Sequence, residues 1–232
     1  MRLSGHVPRG LSVPAALRLG FDEINHAAFL FSTFFQDSLY LPQMRAYSAV
    51  ASAVAPDLDV DGPEMTALIA ELKVRGTVVD GTFALWLRGP APGRPPAPSV
   101  GVPDARDSVE AARSDANYLR LAKRLFDAGV TLVPGTDGGS YNAELETYER
   151  AGIPAAEVLR MATIVSARVM RDDRDYGSIA PGKVADLIVV AGRPAERVAD
   201  LRKIERVMRA GRMYETRALS GAALAQVSGD RR

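Results

Sequence analysis

Short apolar, β-rich runs alternate with amphipathic stretches along most of this chain, and that alternation limits its possible folds more than any other feature. Arg2 to Val7 has the texture of a strand and is followed by Pro8 and Gly10, a turn signal. Ser12 then caps an expected helix with Pro14 in its first turn and Gly20 at its stop, and Phe21 to His26 forms the next strand. Asp61-Gly-Pro-Glu opens a helix carrying Met65, Leu68, Ile69 and Leu72, ended by Arg75-Gly76, and Thr77 to Thr82 is a buried, β-branched strand. A further helix over about residues 111–128 stops at Gly129, and Val130 to Pro134 is the last strand of the series. Strand, helix, strand, helix in this order predicts an α/β fold with a parallel sheet and crossover helices. In a closed barrel of such units the chemistry lies at the carboxyl ends of the strands, where His6, His26 and Asp137 fall.

Those residues carry the chemical signal. His6 and His26 are the two histidines of the chain, and Asp137 lies in Val-Pro-Gly-Thr-Asp-Gly-Gly. Two neutral imidazoles and one anionic oxygen suit a divalent cation, but a catalytic zinc usually takes three protein ligands plus water, and a two-metal site takes more. A lone histidine is more often structural than a ligand, and Asp in a Gly-rich run is often a turn residue. Successive strand ends favour the ligand role here. Asp80 and Thr82, at the end of another strand, either support the site or cap the sheet.

Composition excludes several other classes. Of 232 residues, 47% are hydrophobic and 25% charged, which suits a soluble globular protein. Lys plus Arg number 29 against 28 for Asp plus Glu, so the net charge of +1 gives no reason to expect nucleic acid or an anionic membrane as partner. With 0 cysteines, disulfides, thiolate metal sites and cysteine nucleophiles are absent together. No segment approaches the roughly 18 apolar residues of a membrane span, and the compartment stays open between cytoplasmic and secreted.

Elsewhere the sequence is less directive. Residues 27–56 form a long connection containing Phe29, Phe31, Phe34 and Phe35, expected to pack beneath it rather than line a pocket. The proline-rich stretch Gly89 to Pro103 is expected to be a loop. Two helices are expected over Leu145 to Ala151 and Pro154 to Met170, and Arg171 to Asp175 is a solvated link. A domain boundary is placed near Gly177. Beyond it, a turn at Pro181-Gly182 and β runs ending at Val190 and Tyr214 form a small β domain, with a frayed tail after Thr216.

Ser4-Gly-His6-Val, Ile24-Asn-His26, Val133-Pro-Gly-Thr-Asp137-Gly-Gly, Ala151-Gly-Ile-Pro154, Met161-Ala-Thr163, Ser166-Ala-Arg168 and Gly177-Ser-Ile-Ala-Pro-Gly-Lys-Val-Ala-Asp-Leu-Ile-Val-Val190 together resemble the second half of a metal-dependent amidohydrolase. The closest branch holds imidazolonepropionase and Xaa-Pro dipeptidase relatives. The resemblance implies the C-terminal half of a (β/α)8 TIM barrel (strands 5–8) over residues 1–176 and part of a composite β-sandwich domain over residues 177–232. It implies that His6, His26 and Asp137 are metal ligands closing the fifth, sixth and eighth strands, and that Asp137 is also catalytic, moving a proton from metal-activated water to the leaving nitrogen. The implied cofactor is one or two divalent ions, zinc ahead of manganese or iron. The implied partner is a small-molecule amide, cyclic amide or dipeptide. Asp186, in the Ala-Asp-Leu run, is expected to be structural.

This chain departs from that pattern in one respect. The family's His-x-His pair on the first strand and lysine on the fourth have no counterpart here. Three accounts stand: a fragment or mis-started product of a longer enzyme, one piece of a split enzyme, or a complete protein with a reduced site. A hydrolase of carbon–nitrogen bonds is one expectation. An inactive half-barrel that acts through self-association or a missing N-terminal half is the other, since an open parallel sheet leaves strands unpaired.

Overall fold

The structure, a computed structural model, describes residues 2–8, 10–34, 55–87 and 108–217. Phe35, the proline-rich stretch and the tail from 218 lie outside the described residues. The chain divides into two compact units, Met1–Ile153 and Pro154–Arg232.

In the first unit four short strands, β1 (Ser4–Gly5), β2 (Glu23–Asn25), β3 (Val78–Asp80) and β4 (Leu132–Val133), form one parallel sheet whose spatial order follows the chain order. Gly5 faces Ile24, Ile24 faces Val79, and Val79 faces Leu132, so the carboxyl ends of all four strands lie along one edge. Ile24 and Val79 are fully buried, and Val78, Leu132 and Val133 nearly so, as expected for a sheet covered on both faces.

The strands are shorter than the apolar runs that contain them, for local reasons. His26 and Thr82 take left-handed backbone (φ 65° and 48°), which ends a ladder, and Pro134 has no N–H to continue one. Helix α1 (Val13–Arg18) is capped by Ser12, whose hydroxyl accepts from the Ala15 amide at 3.3 Å. Helix α2 (Pro63–Arg75) buries Met65, Leu68, Ile69 and Leu72 and stops at Gly76, whose φ of 66° suits glycine.

After His26 the chain enters a 3-10 helix, Ala27–Phe34, where the sequence suggested an irregular connection. Its Phe31 is fully buried against Tyr118, with ring centroids 4.8 Å apart. The short helix α3 (Phe83–Trp86) follows β3. Helix α4 (Ser108–Asp127) buries Tyr118, Leu121, Ala122 and Leu125 at helical spacing. Helix α5 (Tyr141–Arg150) starts four residues before the expected Leu145, because the Ser140 hydroxyl accepts from the Ala143 amide.

The second unit opens with helices α6 (Ala155–Arg160) and α7 (Ser166–Met170), joined through a π-helical segment, Met161–Val165. Hydroxyls mark that segment: Thr163 donates to the Leu159 carbonyl at 2.6 Å and Ser166 to that of Met161 at 2.7 Å. Strands β5 (Leu187–Val190), β6 (Ile204–Arg209) and β7 (Arg212–Glu215) follow as an antiparallel sheet in that order. Asp186 accepts from the Arg209 guanidinium and, at 2.6 Å, from the amide of Ala210 in the β6–β7 turn, so this carboxylate fastens a hairpin. Among the described residues, no helix is long and apolar enough to cross a membrane.

Candidate functional site

Each site residue stands just past a parallel strand: His6 after β1, His26 after β2, Thr82 after β3 and Asp137 after β4. Because those ends are in register, four distant stretches of sequence deliver side chains to one edge. His6 Nε2 and His26 Nε2 lie 2.8 Å apart, and Asp137 Oδ2 lies 3.9 Å from His26 Nε2. His6 is exposed, His26 is 8% exposed, and the Asp137 side chain is 56% exposed, so the cluster is dry on one side and open on the other. Phe29 borders both imidazoles, its ring 5.4 Å from that of His6 and 6.1 Å from that of His26. One of the four aromatics expected to serve as packing therefore lies beside the site.

His26 Nδ1 is 2.9 Å from the Thr82 hydroxyl, which donates its own proton to the Gly81 carbonyl at 2.8 Å. A hydroxyl has one proton, and with that proton on the Gly81 carbonyl Thr82 accepts from His26, an arrangement that matches the Nδ1–H tautomer. In that tautomer the Nε2 lone pair faces His6. Burial lowers the His26 pKa, His6 acts in the same direction, and Asp137 partly opposes them. The balance favours the neutral ring, the form that binds a cation.

Three of the five described non-glycine residues with positive φ are His26, Thr82 and Asp137 (φ 65°, 48° and 44°). Each costs on the order of 1–3 kcal/mol, and such strain clusters where a side chain must be aimed.

Two carboxyls stand behind the site: Asp80, which the sequence offered as a support or a cap, and Glu144, which the sequence reasoning missed. Burial raises Asp80 to about 6, with Glu23 and Asp137 adding repulsion, and its Oδ1 is buried without a hydrogen-bond partner. Gly135 makes room for it, since a Cβ there would overlap the carboxyl group. Glu144, on α5, is 1% exposed and raised to about 7, chiefly by burial. The available signal was its place on the apolar stripe of α5, beside Leu145 and four residues before Tyr148, where an apolar side chain belongs.

The donors present are of the right chemistry for a divalent cation: two strand-end imidazoles, one preset to offer its lone pair, and a carboxylate within reach. Two ligands of a tetrahedral zinc at about 2.0–2.1 Å would sit a few tenths of an ångström farther apart than the two Nε2 atoms do, a small opening. Among the described residues, no group of three His, Cys, Asp or Glu side chains closes on one point as a complete ligand set. The residues fit a metal as part of its shell.

Residues 96–214 match the model of the Amidohydrolase family. The 5'-deoxyadenosine deaminase of Methanothermobacter thermautotrophicus is 29% identical over 110 residues, covering 38% of this chain and 25% of that enzyme. A 5-methylthioadenosine/S-adenosylhomocysteine deaminase of Moorella thermoacetica is 32% identical over 107 residues, covering 37% of this chain and 25% of that enzyme. Among solved structures, a Xaa-Pro dipeptidase with methionine in its active site superposes on 93% of this chain with a TM-score of 0.61 and 21% identity. That likeness shows a shared mixed α/β fold. The match spans 45% of the dipeptidase, and a quarter of the length of each deaminase is covered.

Proposed function

The chain belongs to the amidohydrolase family, and we propose that it carries one side of a metal-assisted hydrolytic site for a carbon–nitrogen bond. In this reading β1 to β4 are the fifth to eighth strands of a (β/α)8 barrel, and residues 177–232 are part of a composite β domain. His6, His26 and Asp137 would hold a divalent cation, zinc foremost. Such an ion, when bound, lowers the pKa of water and polarises a carbonyl or amidine carbon for attack.

The observation that carries the proposal is the meeting of His6 and His26 through their Nε2 atoms beside Asp137, at the carboxyl edge of a parallel sheet. Asp137 accepts a proton as water adds to the carbon, then returns it to the nitrogen as the C–N bond breaks. Phe29 borders both imidazoles on one side. The substrate class is an amide, cyclic amide, dipeptide or amino-substituted purine. The dipeptidase and the deaminases named above both hydrolyse bonds of this kind, which supports the class and leaves its member open.

Calorimetric titration of the 232-residue chain with zinc chloride, alongside turnover assays on Xaa-Pro dipeptides and aminopurine nucleosides, tests the proposal. Zinc affinity is expected to fall about 100-fold or more in His26→Ala, and turnover to disappear in Asp137→Asn. Unchanged zinc uptake and unchanged turnover in both variants would sink it. If the wild type takes up no zinc and turns nothing over, the second reading applies, in which the chain acts through association. Its mass in solution by light scattering then decides, and a strictly monomeric, cooperatively folding chain counts against that reading too.

A further inference from the structure

Thr82 is an unusual start for a helix. It holds the N-cap position of α3, yet its backbone is left-handed (φ 48°, ψ 30°) and its side chain makes no capping bond, because its hydroxyl is engaged with His26 and the Gly81 carbonyl. The first amides of α3 are satisfied from elsewhere. Glu144 Oε1 accepts from the Phe83 amide at 3.0 Å, and Glu144 Oε2 accepts from the Ala84 amide at 2.7 Å. A carboxylate some sixty residues away in sequence thus does what a Ser, Asp or Thr cap normally does.

The rest of the contact fixes that carboxylate. Tyr148, one turn along α5, is buried and hydrogen-bonds to Glu144, and its hydroxyl also lies 3.4 Å from the Val133 carbonyl. Gly81 leaves the space for both: a Cβ there would overlap the Tyr148 hydroxyl and come within 2.8 Å of Glu144 Oε1. The Gly81 backbone is itself tied down, its N–H donating to Val133 and its carbonyl accepting from Ala27 as well as from Thr82. The Gly81–Ala84 turn is therefore clamped from α5, and the clamp holds a strained residue.

We infer that Glu144 is a positioning residue: by capping α3 in place of Thr82, it frees the Thr82 hydroxyl to fix His26 in the Nδ1–H tautomer, with Nε2 directed at the site. Glu144 touches neither substrate nor metal in this account and acts through Thr82. A buried carboxylate accepting two amides is costly unless it organises something. The inference rests on His26 being the working imidazole of the proposed site. Its test does not need that site to be active.

With two histidines in the chain, long-range proton–nitrogen NMR of the 15N-labelled, metal-free protein resolves each ring. His26→Ala, by removing one set of signals, assigns them. The wild type is expected to show His26 as Nδ1–H, with slowly exchanging amides at Phe83 and Ala84. Thr82→Val removes the hydroxyl and should convert His26 to a mixture or to Nε2–H, whereas Thr82→Ser should restore Nδ1–H. Glu144→Gln keeps one acceptor but opposes an NH2 group to the other amide, and should shift the tautomer as Thr82→Val does.

A Glu144→Gln spectrum with His26 unchanged overturns the inference, and so does a wild-type His26 found as Nε2–H. If Glu144→Gln does not fold, the wild-type tautomer and the exchange rates of the Phe83 and Ala84 amides decide alone, with fast exchange counting against the clamp. Zinc titration of the same samples separates the two proposals. A tautomer that follows Glu144 in a chain that takes up no zinc upholds the clamp while removing the metal reading.

Discussion

In the first unit burial pushes the carboxyls of Asp80 and Glu144 up to about 6 and about 7, whereas in the second unit Asp200 is held well below the usual carboxylate range. Asp200 is satisfied by the Arg193 amide, then by Lys203 and Arg197, and its side chain is 7% exposed. Asp80 faces repulsion from Glu23 and Asp137 and keeps one buried oxygen, Oδ1, without a hydrogen-bond partner. Backbone strain divides the same way. Among the described non-glycine residues, positive φ in the first unit falls on His26, Thr82 and Asp137, all at the site, while in the second it falls on Arg171, closing a helix, and Ala210, in a hairpin turn. One unit uses carboxyls and strain to hold its own loops; the other spends stability on aiming side chains.

The contrast can be broken most strongly through Glu144. Its folded pKa, about 7, lies above its ordinary 4.5, so the folded state holds a proton that the unfolded state has released between those values. Stability from this group is therefore greatest at and below about pH 4.5 and falls as pH rises towards 7, by on the order of 3 kcal/mol. Urea unfolding followed through Trp86, the single tryptophan and a residue of the first unit, should show that slope in the wild type, and Glu144→Gln should keep only the part that Asp80, raised to about 6, contributes.

Gly135→Ala comes next, at about 2 kcal/mol of destabilisation on the same signal, because the new Cβ collides with the Asp80 carboxyl. Ala210→Gly should stabilise the second unit by about 1 kcal/mol, since it relieves a left-handed backbone whose side chain has no aiming role. Thr82→Gly should relieve comparable strain but disturb His26. If both changes proved equally harmless to the His26 tautomer, the division between functional and incidental strain would be wrong.

Asp200→Asn is expected to have the smallest effect near neutral pH, since the side chains of Arg197 and Lys203 are 63% and 54% exposed and their charges are screened. Its sign is opposite to that of Glu144. A depressed pKa gives stability above the ordinary carboxylate range that is lost as pH falls below it, so the small difference between the variant and the wild type should be present near neutral pH and disappear in acid. Hydrogen exchange of the second unit's amides across pH measures this separately from Trp86.

Much of the arrangement is legible in the chain before folding. The helices were announced by their caps and stops, Ser12, Gly76 and Gly129, and the strands by β-branched runs, because both signals act over a few neighbouring residues. His6, His26 and Asp137 could be selected because a parallel order of short strands sends every strand end to the same edge. Strand limits were less legible, since a ladder ends where a residue adopts positive φ, and nothing in the letters His26 or Thr82 announces that.

The sequence by itself determined the alternation of elements, the residue types at the strand ends and the family. Tertiary structure alone decided that Thr82 touches His26, that Glu144 caps a helix some sixty residues away and that Asp80 Oδ1 is buried without a hydrogen-bond partner. These depend on which backbone groups remain unpaired once the elements pack, and on how much water is left around a carboxyl group. Both are set by contacts between distant parts of the chain rather than by any residue's neighbours in sequence.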